Sequence, residues 1–178
     1  MIYAAPKILI RQAGVGVWAT FDETGAWCPQ SVYLYRLKKE AVGQGYRHEF
    51  VLAALLSRTM AYYVFKRFGE VDPARAHAKL THTRLEALPI PRVDFADSAQ
   101  ARIHDEIAMR AQRILDEDAP LGGPDDKAIE LLLRQLWTLS AEDGAYINGE
   151  FAGLPPSQAI IDLFPDGVPG AAVYQEAA

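Results

Sequence analysis

The sequence predicts an α+β chain: an N-terminal antiparallel, β-rich region packed with a long helix (residues 1–92), then an acidic helical region (93–178). Three observations carry this. The first third alternates apolar and polar residues between glycines and turns. From residue 48 the apolar residues recur at spacings of three and four. The charge then changes sign. Residues 1–92 hold 13 Lys and Arg against 7 Asp and Glu, a balance of +6, whereas residues 93–178 hold 5 against 16, a balance of −11.

Each element has its local reason. Pro6 to Gln12 is short, β-branched and bounded by Pro and Gly, and it predicts a strand. Val15 to Phe21 predicts a second. Asp22 to Gly25 predicts a turn, with glycine where a positive φ costs little. Gln30 to Leu37 predicts a third strand, with Val32, Leu34 and Arg36 on one face and Tyr33, Tyr35 and Leu37 on the other. The three are expected to form a meander. Gly43-Gln44-Gly45 breaks the pattern, and one helix is expected from His48 to Phe68, ended by Gly69.

Residues 70–78 predict a loop, and Lys79 to Leu88 fits either a strand or a short helix. Leu88-Pro89-Ile90-Pro91 must be extended, because each proline disfavours the helical region for its predecessor. Ala99 to Leu115 predicts a helix with Ile103, Ile107, Ala111 and Ile114 on one face. Another is expected through Ser140, capped by Asp125 or Asp126. Ser140 to Asp143 carries a capping-box pattern, and Gln158 to Phe164 predicts a last short helix.

The composition excludes several classes. Half the residues are hydrophobic, so a disordered chain is excluded, and no apolar run reaches the roughly 20 residues of a membrane span. No secretory signal is visible, and the one cysteine, Cys28, cannot build a disulfide framework; a cytoplasmic setting is expected. Catalytic patterns are missing. Gly14-Val-Gly16 lacks the third glycine of a phosphate loop, and no Gly-x-Ser-x-Gly elbow occurs. His77 and His82 are poorly spaced for a metal, and Cys28 stands apart from them, so neither a catalytic nor a metal site is expected.

What remains is a polar and basic inventory in the first half. Lys7, Arg11 and Gln12 lie on the first strand; Gln30, Ser31 and Arg36 lie on and beside the third. Arg75, Lys79, Thr81, His82 and Arg84 form a second cluster. Arg and Lys suit phosphates and guanine edges, Gln suits adenine, and Ser or Thr suits either. The same residues also fit an ordinary solvated surface.

The order of segments adds a resemblance. Pro-Lys-Ile-Leu-Ile-Arg-Gln (6–12) is followed by Ala-Thr-Phe-Asp-Glu-Thr-Gly (19–25) and Gln-Ser-Val-Tyr-Leu-Tyr (30–35). Phe50 to Tyr63 then supplies a helix with Ser57 after Ala54-Leu55-Leu56, and Leu-Pro-Ile-Pro (88–91) closes the unit. The series resembles the TaqI-like C-terminal specificity domain, the target-recognition domain of adenine-specific DNA methyltransferases in restriction–modification systems. It covers residues 6–92 well and 97–143 more loosely.

The resemblance implies double-stranded DNA as ligand and a methyltransferase catalytic domain as partner, in cis or in trans. The family's cofactor-binding glycines and its Asn/Asp-Pro-Pro-Tyr/Phe motif have no counterpart here. No cofactor is therefore expected in this chain, and S-adenosylmethionine is expected on the catalytic partner. Two other classes remain open at this point. One is an interaction module pairing the basic half of one copy with the acidic half of another. The other is a small hydrolase or nuclease using His77, His82 or Cys28.

Overall fold

A computed structural model describes residues 3–13, 17–68, 79–119 and 123–152. Three strands, β1 (Lys7–Arg11), β2 (Ala19–Asp22) and β3 (Val32–Tyr35), form an antiparallel sheet of order β2-β1-β3. The fold is α+β, as expected, but the sheet is not a meander. β1 is central: Lys7 lies opposite Asp22, Ile8 opposite both Phe21 and Tyr35, and Arg11 opposite Val32.

The link between β2 and β3 therefore starts opposite Lys7 and ends opposite Arg11, running the length of β1. Its first turn has the anticipated chemistry, with Gly25 at φ +80°. The Asp22 carboxylate accepts from the Thr24 N–H (3.0 Å), the Thr24 hydroxyl (2.7 Å) and the Ala26 N–H (3.0 Å). That turn leads the chain away from β2 rather than back along it.

Seven helices follow among the described residues. α1 (Lys39–Gln44) was not expected. It closes at Gly45, whose φ is +110° and whose N–H reaches the Val42 carbonyl at 3.0 Å. A Cβ at Gly45 would also come within 3.0 Å of the Phe95 ring. Gly45→Ala should therefore cost about 1–3 kcal/mol in denaturant unfolding, from the left-handed backbone and the crowding together.

The single helix expected over residues 48–68 is two, α2 (His48–Leu56) and α3 (Arg58–Phe68), broken at Ser57 (φ −64°, ψ 152°). The Ser57 hydroxyl donates to the Ala54 carbonyl (2.9 Å) and accepts from the Met60 N–H (3.1 Å). α4 (His82–Glu86) settles the open segment as helix, with the Thr81 hydroxyl accepting from the Arg84 N–H at 3.4 Å. α5 (Ser98–Asp116) starts at Asp97, which accepts from the Ala99 N–H at 2.8 Å.

α6 (Pro124–Leu136) corrects the expected cap. Gly123 occupies the cap position and Pro124 opens the helix, so Asp125 and Asp126 sit inside its first turn, where a carboxylate complements the helix dipole. Asp125 accepts from Arg110 (2.6 Å) on α5. α7 (Ala141–Ala152) has the anticipated capping box: the Ser140 hydroxyl accepts from the Asp143 N–H (3.0 Å), and Asp143 accepts from the Ser140 N–H (2.8 Å). Gly69, the loop 70–78 and the helix expected at Gln158 to Phe164 lie outside the described residues.

After His48 and Glu49, α2 is apolar all round because it is buried on two sides. Leu52 and Leu55 join Ile8, Ile10, Met60, Leu80, Leu85 and Leu88 in a core beneath the sheet. Phe50, Ala53 and Ala54 join Val93, Ile107, Ala108, Ala111, Ile129 and Leu133 in a second core with α5 and α6. Beside it the fully buried His104 ring packs on Tyr46, Phe50 and Phe95, and its Nε2 accepts from the Arg47 N–H at 3.3 Å. The sheet thus stands on a rigid base, and its outer face and strand ends carry the side chains of interest. No helix among the described residues is long and apolar enough to cross a membrane.

Candidate nucleic-acid interface

The pleat sorts the sheet residues. Ile8 and Ile10 point into the core, together with their cross-strand partners Phe21, Tyr35, Ala19 and Tyr33. Lys7, Leu9 and Arg11 take the opposite face with Thr20, Val32 and Leu34. Two clusters far apart in sequence meet where β1 ends, and Gln12 joins them. Its N–H donates to the Ser31 carbonyl (2.9 Å), its side-chain amide to the Gln30 carbonyl (2.6 Å), and its own carbonyl accepts from the Leu80 N–H (2.8 Å). Ala13 and Lys79 form an antiparallel bridge beside it.

The expected residues divide accordingly. Arg11, Gln12, Gln30, Ser31, Lys79, Thr81, His82 and Arg84 gather at this end of the sheet, and all but half-buried Gln12 and Arg84 are exposed. Arg84 donates to the Lys79 carbonyl (3.2 Å) and lies 5.3 Å from the centre of the Phe68 ring, which holds its guanidinium in place. Gln12 and Thr81 spend hydrogen-bonding capacity on the backbone, so they shape this end as well as face it.

His82 sits over the sheet edge, its ring 5.7 Å from that of Tyr33 and 5.6 Å from that of Tyr35. Burial, and then the Glu86 carboxylate, raise the Tyr35 hydroxyl above its usual range, and that hydroxyl lies 3.5 Å from His82 Nδ1. Glu86 also lies 3.3 Å from His82 Nδ1.

Arg36 is exposed at the far end of β3. It lines an open groove with Val32, Leu34, Gln30 and Trp27. Lys7 is the exception among the basic residues. It is fully buried, and its ammonium is held by the Asp22 carboxylate and by the Tyr3 carbonyl (3.0 Å). Lys7 therefore presents no charge at the surface. Arg75 and His77 lie outside the described residues.

Sequence reasoning passed over Tyr3 and Trp27, which both line the groove. Trp27 is 72 % exposed, and no periodic pattern announces an aromatic in a loop. Cys28 sits beside it, in the link between β2 and β3, with Sγ 3.9 Å from the Ala26 carbonyl. Among the described residues, no three His, Cys, Asp or Glu side chains are grouped to hold a metal ion. What the end of the sheet offers is a set of cations, amides and hydroxyls on a rigid support, suited to a polyanion with readable edges.

Compared with models of known protein families, residues 1–90 match the TaqI-like C-terminal specificity domain. No curated protein and no solved structure matches the chain.

Proposed function

From the premise that the chain belongs to the TaqI-like C-terminal specificity domain family, we propose that it selects the DNA sequence on which an adenine-specific methyltransferase acts. The family's task, DNA sequence specificity in methyltransferase and restriction systems, is the coarser part of this reading. The finer part assigns the base-proximal work to the end of β1. Arg11, Lys79 and Arg84 supply phosphate or guanine contacts there, with Arg36 further along β3; Gln30, Ser31, Thr81 and His82 face base edges.

The observation that carries this is the meeting of two polar clusters, separated in sequence, inside the matched segment. Residues 1–92 would hold the duplex. Residues 93–178, with their excess of acids, would turn away from DNA and pack on the catalytic domain or keep the unit apart from other anions. The catalytic domain, in cis or in trans, would hold S-adenosylmethionine and extrude the adenine. The recognition unit supplies register and sequence choice, in a reducing cytoplasmic setting that suits its single cysteine.

The test is binding to a random pool of short duplexes, titrated with salt and read by sequencing the recovered DNA. Enriched sites are expected, with log K falling by roughly 0.9 per phosphate contact against log salt. Arg11→Ala, Lys79→Ala and Arg84→Ala should each weaken binding and flatten that slope by up to about one. Unchanged affinity in all three would sink the assignment.

A further inference from the structure

Trp27 is the most exposed of the large apolar residues described, at 72 %. The other two tryptophans are half-buried, and Trp137 donates its ring N–H to the Pro89 carbonyl at 2.8 Å. A single exposed apolar side chain is ordinary on a surface. Its setting here is not. The link that carries it is tied down on both sides: upstream by Asp22, through Thr24 and Ala26, and downstream by Gln12, through Gln30 and Ser31. Pro29 adds a turn, its carbonyl accepting from the Val32 N–H at 3.1 Å. The indole is presented by a braced loop, so little ordering entropy would be lost when something covers it.

The surroundings say what that something is. The groove beside Trp27 is lined by Gln30, Arg36 and Tyr3, with Val32 and Leu34 between them, and by no acid. Exposed Lys38 and Lys39 follow Arg36 along the chain. A flat π face, an amide that reads donor and acceptor edges, and a cation for a phosphate together match one nucleotide of a strand. A fully paired duplex offers bases edge-on and keeps their faces stacked. An indole gains a base face only where a neighbour has left.

We infer, resting on the DNA-recognition reading above, that Trp27 is a base-stacking residue, its indole lying on a nucleobase whose stacking neighbour has been displaced. Extrusion of a target base creates such a face next to the vacated position. Trp27 would then stabilise the opened site, while the cluster at the end of β1 sets register.

The experiment measures binding of the full chain to three probes: a fully paired short duplex, the same duplex with one abasic position, and a single strand. The exposed indole can be removed without disturbing either core. Trp27→Ala should lose roughly five- to a hundredfold in affinity for the abasic duplex and the single strand, and little for the paired duplex. Trp27→Phe should keep most of it, and indole emission should be quenched on binding in the wild type. Wild-type affinity of Trp27→Ala for all three probes would overturn the inference and leave DNA recognition standing. A change confined to the sedimentation of the variant would mean that protein covers the indole, and would overturn it too. A wild-type chain that binds none of the probes would remove the recognition reading, and this inference with it.

Discussion

Glu130→Ala is expected to lower the unfolding free energy by about 3 kcal/mol, a large effect for a side chain outside the apolar core. Glu130 lies on α6, yet its carboxylate accepts from the Arg58 N–H (2.9 Å), the Thr59 N–H (3.1 Å) and the Thr59 hydroxyl at the start of α3. It also receives Arg134 Nε at 3.0 Å, and both side chains of that pair are nearly buried, 13 % and 11 % exposed. Helix α3 has no cap of its own sequence to satisfy these donors; Ser57 serves the Met60 N–H. Removing the carboxylate leaves two backbone donors without a partner and a guanidinium without its counter-charge.

Arg134 itself is constrained, because it lies over Gly144, where a Cβ would collide with the guanidinium, and donates to Asn148 Oδ1 at 3.2 Å. It cannot follow a lost partner elsewhere cheaply. Glu130→Gln keeps an acceptor and should lose less. Denaturant unfolding of both variants checks this. A Glu130→Ala protein within about 0.5 kcal/mol of the wild type would mean that Ser57 alone holds the break.

The same residue explains where sequence reading stopped. The apolar spacing through residues 48–68 is continuous, and Ser57 by itself looks like a tolerated polar position. The N–H groups of Arg58 and Thr59 freed at the break are met by a carboxylate 72 residues downstream of Arg58. Elements decided locally were legible: β1 and β3 from their alternation, the turn at Asp22–Gly25 from its own side chain, and α7 from the reciprocal bonds of Ser140 and Asp143. The sheet order was not, because adjacency between β1 and β3 is settled by which strand buries Ile8 and Ile10. The site follows the same division. Its two polar clusters stand out as runs of residues, but their meeting through Gln12 is a tertiary event. Lys7 shows the limit most sharply, since a lysine on a strand beside Arg11 looks like part of the same basic surface.

Lys7→Met is expected to depress the thermal midpoint by on the order of ten degrees, more than the loss of any exposed cation in this chain. The substitution keeps the apolar stem and strips the charge, which strands the Asp22 carboxylate, 7 % exposed, without its counter-ion. Lys7, followed by the Thr24 hydroxyl, holds that carboxyl far below the usual carboxylate range. The folded chain therefore takes up a proton at Asp22 less readily than the unfolded chain does. The pair's contribution is complete at neutral pH and is lost as pH falls below the ordinary carboxylate value of about 4. Asp22→Asn should flatten this acid limb. The double variant Lys7→Met with Asp22→Asn should recover part of the stability, because no lone charge remains buried.

The pair also braces the groove, since Lys7 reaches the Tyr3 carbonyl and Asp22 sets the turn before Trp27. Lys7→Met should thus weaken DNA binding without touching DNA, and the salt dependence separates the two roles. A phosphate contact that is lost lowers the slope of log K against log salt by about one, whereas a displaced loop leaves the slope alone. A stable Lys7→Met chain with a reduced slope would return Lys7 to the DNA surface and remove it from the sheet's framework.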